Sequence, residues 1–264
     1  MSGAAFADVA ALFVRADSIY KRMRGVDCWD AERDAMQYAG PHPVVAHPPC
    51  KRWSMINGVV LSRYPHNAAE FAWGNDGGVF AAALQAVRRF GGVLEHPAHS
   101  RAFGHYGLPR IGRGPDEHGG WAFEVRQRDW GHRAEKRTWL YVCGIEPDDV
   151  PELPPPGEAT ALVVSMPECR AVELMGKAER EHTPPAFARW LIELARRTSV
   201  RSLAPVGADA SPTHENMAPR DDLQPVEWVP AAAAENAASG REMALPGDCR
   251  PGGGMATFDS EGAV

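Results

Sequence analysis

Up to about residue 200, apolar runs too short to be helices alternate with stretches whose apolar residues recur every three or four positions. That alternation constrains the chain most, because a sheet covered by helices buries both kinds of surface at once. It predicts an α/β domain built on a largely parallel, twisted sheet. Candidate strands are Ala11 to Val14, Val26 to Trp29, Val44 to Ala46, Gly92 to Leu94 and Trp139 to Cys143. A helix from about Gly78 to Phe90 carries Phe80, Ala83, Leu84 and Val87 at helical spacing, with Gly91-Gly92 as its stop. A second helix is predicted from Thr183-Pro184, a hydroxyl cap with proline at the first helical position, through Phe187, Trp190, Leu191 and Leu194 as core residues.

At 264 residues and 44% apolar content the chain suffices for one sizeable core, expected over residues 8 to 200. No stretch approaches the roughly 20 apolar residues that span a bilayer, and Met1 to Val14 lacks a basic flank and cleavage site, so a cytoplasmic protein without membrane contact is expected. The net charge of -6 is unevenly placed. Residues 202 to 264 hold ten acids and three bases, leaving 25 bases against 24 acids, net +1, in the rest. Residues 201 to 264 are rich in Ala, Pro and Gly and are predicted to be a flexible acidic tail. Five cysteines, at 28, 50, 143, 169 and 249, form no C-x-x-C pair and argue against a disulfide framework. Cys28 and Cys143 sit in apolar runs as small core residues. His47, Cys50, His96, His99, His105, His118 and His132 crowd the middle of the chain, but their spacings match no zinc module, and no metal is expected.

Ligands of doubly wound sheets lie beyond the carboxyl ends of the strands. Three loaded segments fall there: Asp27 to Asp30, His47 to Ser54 and Glu95 to Ser100. Two prolines stiffen the turn that delivers Cys50, and Lys51 and Arg52 beside it favour the thiolate, which makes it a candidate nucleophile. Glu95 ends another apolar run, where burial would raise its pKa and let it act as an acid near neutral pH. Arg126 to Arg137 holds five bases against two acids, and reads either as a solvated loop or as a surface for phosphate and a base carbonyl.

In that order, Pro48-Pro49-Cys50-x-x-Trp53-Ser54, a strand ending in Glu95, and an Arg-rich loop leading into an aromatic strand and Gly144 resemble the cytosine-C5 DNA methyltransferases. Leu12-Phe13-Val14 and Gly25 to Asp30 are similar to the family's first two strands, and Thr183-Pro184-Pro185 to its C-terminal block. The resemblance implies a trimmed Rossmann-like methyltransferase fold without a large target-recognition domain. It implies that Cys50 adds to cytosine C6, that Glu95 holds N3, and that Arg133 or Arg137 holds the O2 side. S-adenosylmethionine would be the donor, with Phe13, Asp30 and Pro48 at its site, and DNA the partner, its target base flipped out of the stack. Compactness would suit a phage protein working in a bacterial cytoplasm. Three features depart from the family: its glycine-rich loop is replaced by Val14-Arg15-Ala16-Asp17-Ser18, Glu-Asn-Val by Glu95-His96-Pro97, and its Gln-x-Arg-x-Arg spacing is not met, Arg133 and Arg137 standing four apart with His132 near the Gln position. A pyrimidine nucleotide as substrate, a His/Cys metal site and a non-catalytic nucleic-acid-binding protein therefore stand as alternatives.

Overall fold

The computed structural model describes residues 7–54, 57, 66, 72–162 and 173–198; the acidic tail, Cys169 and Cys249 lie outside them. Six strands form one sheet: β1 (Val9–Leu12), β2 (Val26–Trp29), β3 (Val44–Ala46), β4 (Gly92–Pro97), β5 (Trp121–Arg126) and β6 (Arg137–Cys143). Their order is β2-β1-β3-β4-β6-β5. The first four run parallel, and β6 runs antiparallel to both of its neighbours. The fold is thus mixed α/β with a largely parallel sheet. A two-stranded pair, β7 (Ala161–Leu162) and β8 (Glu173–Leu174), lies apart from it.

Side chains alternate across this sheet and sort into two cores. On one face Leu12, Val44, Ala46, Leu94 and Tyr141 meet helix α1 (Val79–Phe90) through Phe80, Leu84 and Val87. On the other, Val9, Ala11, Val45, Val93, Leu140 and Val142 meet the last helix, Pro185–Arg197. Between α1 and that helix in sequence come two short ones, α2 (Arg101–His105) and α3 (Lys177–Glu181), so the last is α4. Covering on both faces is why β1 and β3 are buried along their whole length and read as continuous apolar runs. α4 buries Phe187, Trp190, Leu191 and Leu194, each worth roughly 1.5–3 kcal/mol on full burial. Gly92 lets β3 and β4 close up, since at φ 123 a Cβ there would sit 2.6 Å from Val44 N.

Several expectations shift. β1 starts and ends two residues earlier than predicted, because Phe13 turns left-handed at φ 58 and breaks the strand. Pro184, not Thr183, occupies the cap position of α4, and no side chain caps it. The basic stretch after Arg126 is the connection of a β-hairpin, whose first strand, β5, the sequence reading missed. Cys143 is buried in β6 and Cys28 is partly buried in the edge strand β2. Among the described residues no helix is long and apolar enough to cross a membrane.

Candidate active site

β3 and β4 are parallel neighbours, so the turns that leave their carboxyl ends start side by side. The β3 turn presents His47, the buried Pro48 and then Cys50 at the start of a 3-10 turn, Cys50–Arg52. Trp53 fixes that turn: it is 2% exposed, its backbone N–H donates to Cys50 O and its indole N–H to Asp76 Oδ2 at 2.8 Å. An aromatic at this point of the Pro-Pro-Cys block is therefore an anchor, which leaves Cys50 exposed at the mouth.

Glu95, near the end of β4, shares a face with Val93, opposite to Leu94 and His96. Its Oε2 lies 3.0 Å from His47 Nδ1, and its Oε1 accepts from Gln127 Nε2 at 3.1 Å. Gln127 also donates to Thr138 Oγ1 at 3.0 Å, while its own Oε1 is buried without a partner. His47 Nε2 lies 2.9 Å from the hydroxyl of Tyr20, a residue 1% exposed in the 3-10 turn Ile19–Arg22. Lys136, held left-handed at φ 39 just before β6, donates from Nζ to His182 O at 3.0 Å.

These neighbours reverse two electrostatic expectations. Although Cys50 is exposed as a residue, the protein around its sulfur desolvates the thiol and pushes it up, Glu95 adds to the rise, and Lys136 pulls it down. The cation that favours the thiolate is thus Lys136, from across the site, rather than Lys51 or Arg52. Burial also pushes Glu95 up, but the hydrogen bond and charge of His47, helped by Lys136 and His96, outweigh it and leave the carboxyl below its ordinary value. Glu95 is ionised at neutral pH, not a stored acid. Lys136 is itself lowered by desolvation, opposed by Glu95, Cys50 and Glu181.

Other predicted site residues stand elsewhere. Arg133 is exposed and pairs with Glu179 at 3.0 Å and with Glu173. Arg137 is held by Glu124 through Nε at 2.7 Å and Nη2 at 2.9 Å, and it shares the His96 face of the sheet, behind Glu95. The arginine roles thus find no support in the geometry, whereas Lys136 and Gln127, which the spacing did not single out, stand beside Glu95. Among the described residues no group of three or more His, Cys, Asp or Glu is arranged to hold a metal.

An S-adenosylmethionine site would occupy the ends of β1 and β2. Asp30, its expected ribose ligand, is 8% exposed; Oδ2 accepts from Lys21 Nζ at 2.6 Å and Oδ1 from the backbone N–H groups of Glu32 and Arg33. Asp27 is taken up by Arg33 and by the Trp29 indole. Phe13 packs into the core and Tyr20 fills the space next to His47. These groups satisfy one another and leave no cradle, so the residues predicted to hold the cofactor do not fit it. Comparison with protein families, curated proteins and solved structures finds no match.

Proposed function

We propose that this protein is a pyrimidine-modifying enzyme of the cytosine-C5 DNA methyltransferase type, with Cys50 as nucleophile and Glu95 as its partner at N3. One observation carries the reading: a cysteine and a carboxylate leave adjacent parallel strand ends, with Lys136 electrostatically engaged with both. Cytosine C5 is a poor nucleophile. Thiolate addition at C6, with a proton delivered to N3, makes C5 enamine-like, and C5 then takes an electrophile. Loss of the original C5 proton, of the C6–S bond and of the N3 proton, which returns to Glu95, regenerates the aromatic ring and the thiolate. Lys136, in place of Arg133 or Arg137, would steady the thiolate. A largely parallel sheet with a single antiparallel strand is compatible with a trimmed Rossmann-like methyltransferase fold.

A second reading concerns the electrophile. The Asp30 carboxylate, already accepting from Lys21 and from two backbone N–H groups, favours a donor other than S-adenosylmethionine. Two assays separate the cases. With DNA deuterated at cytosine C5 and no donor present, the wild-type protein should wash deuterium into solvent, and Cys50→Ala should not; equal loss from both removes the nucleophile assignment. Nucleoside mass spectrometry of DNA from an expression host without its own cytosine-C5 methylation then tests the donor. Wild-type-dependent 5-methylcytosine supports methyl transfer, and exchange without methylation moves the alternative donor ahead.

A further inference from the structure

We propose that His47 stores the proton that Glu95 delivers to the base, with Tyr20 holding the imidazole in place. This rests on the reading that Glu95 serves N3. The problem it answers is geometric. A base nitrogen with a lone pair needs a proton, yet the Glu95 carboxylate already accepts from Gln127 and from His47 and is poised as an anion. Among the described residues, the imidazole of His47 is the group bonded to it whose ring nitrogens can both carry a proton and release one. Gln127 cannot, and the Lys136 ammonium is directed to His182 O.

Both ring nitrogens of His47 are engaged, so its orientation is fixed by a strand-end backbone and two partners. As an imidazolium it donates from Nδ1 to Glu95 and from Nε2 to the Tyr20 oxygen. When a base enters, the Nδ1–H bond breaks, the proton passes through the Glu95 carboxyl, and an N3–H bond forms. His47 is left neutral, and the positive charge moves onto the base. The bare Nε2 keeps its partner, because a hydroxyl donates to it as well as it accepts from N–H. Tyr20 is suited to this, since burial, then the charge of Glu95, hold its phenol well above the ordinary value and keep it protonated.

The groups facing the pair come from every neighbouring element. Lys136 precedes β6 and Thr138 lies at its start, Gln127 follows β5, Cys50 follows β3, and His96 sits on the far face of β4. Glu181 of α3 acts on Lys136 and Cys50, and Cys28 of β2 acts on Tyr20. None of these bonds the second oxygen of Glu95 as His47 does. His47 acts through Glu95 and is a positioning residue rather than a catalytic one.

The test is a carbon-13 NMR titration of the Glu95 carboxyl, assigned with Glu95→Gln, in wild type, His47→Gln and the near-isosteric Tyr20→Phe. Wild type should titrate below an ordinary glutamate. His47→Gln should titrate higher than wild type, because burial is then opposed only by the weaker influence of Lys136 and His96, and Tyr20→Phe should fall between. An unmoved midpoint in both variants overturns the proposal, and Tyr20→Phe alone decides it should His47→Gln not fold. C5 exchange adds the catalytic readout: His47→Gln should lose at least about tenfold at neutral pH and recover toward acid, where Glu95 carries its own proton. A uniform loss at every pH would mark a merely structural role. If wild type shows no exchange, the pyrimidine reading fails and the proton store fails with it, even where the titrations show His47 and Glu95 coupled; exchange in wild type with unmoved midpoints in both variants overturns the proton store alone.

Discussion

Replacing Gly92 by alanine tests how closely β3 and β4 must approach to bring Cys50 and Glu95 together. At φ 123, outside the range of L side chains, the new Cβ would lie 2.6 Å from Val44 N and 2.8 Å from Val44 C, and closer still to Val44 O. Real Cβ atoms essentially never come within 3.0 Å, so β3 must retreat. The dihedral costs about 1–3 kcal/mol. Overpacking adds about 1–3 kcal/mol, and weakening the Val44 N–H to Gly91 O bond, 2.9 Å long, about 1 kcal/mol more. A total of about 3–7 kcal/mol is a large share of the roughly 5–15 kcal/mol that holds a domain folded, and corresponds to a Tm lower by about 6–28 °C. The control is Gly107→Ala, at φ 63 with nothing within 4 Å of the added carbon, which meets only a dihedral cost of about 1 kcal/mol. Thermal and urea unfolding of both variants measure the difference. Equal losses in the two would refute the close-approach argument.

Further outcomes follow from the same packing. His96 is fully buried and held neutral, pushed by burial down to about 4 from 6.5. Its contribution is complete above 6.5 and is lost as pH falls from 6.5 toward 4, about 3 kcal/mol over that window, so His96→Leu should flatten the acid limb of the stability curve; an unchanged slope contradicts this. Tyr141→Phe removes the hydroxyl that donates to Asp116 Oδ2 at 2.9 Å while Arg88 keeps its own bond there, and should cost about 1 kcal/mol in urea titrations. Arg133→Ala breaks exposed ion pairs and should change stability by under about 1 kcal/mol and C5 exchange by less than about twofold. Loss of exchange in that variant would return the arginine to the site.

The parts legible in the sequence are those fixed by local pattern. β2 and β3 begin and end where their apolar runs do, and α1 and α4 follow their helical period. Cys50 and Glu95 stood out because each closes such a run. β5 escaped because Trp121–Arg126 mixes half-buried aromatics with Glu124 and Arg126 and continues into a basic connection, which hid the hairpin. What sequence spacing cannot carry is convergence: Tyr20 meets His47 across 27 residues, and Gln127 meets Glu95 across 32. Without the tertiary surroundings the signs on Cys50 and Glu95 come out reversed, since burial and Glu95 decide the first and His47 decides the second. One usable signal was present, as His47 leaves the same strand as Cys50.

β4 carries two ionisable groups back to back, Glu95 toward the bonded cluster and His96 toward Phe80, whose ring lies edge-on 5.3 Å away. A slip of β4 by one residue against β3 would exchange them. The imidazole would then enter the site, and a carboxylate would be driven in among Phe80 and its neighbours, a far heavier burden than a displaced valine or leucine. The same carboxylate that serves the chemistry thus also checks the alignment of the sheet, and a chain paired out of step would be recognised by its own unsolvated charge before it ever met a substrate.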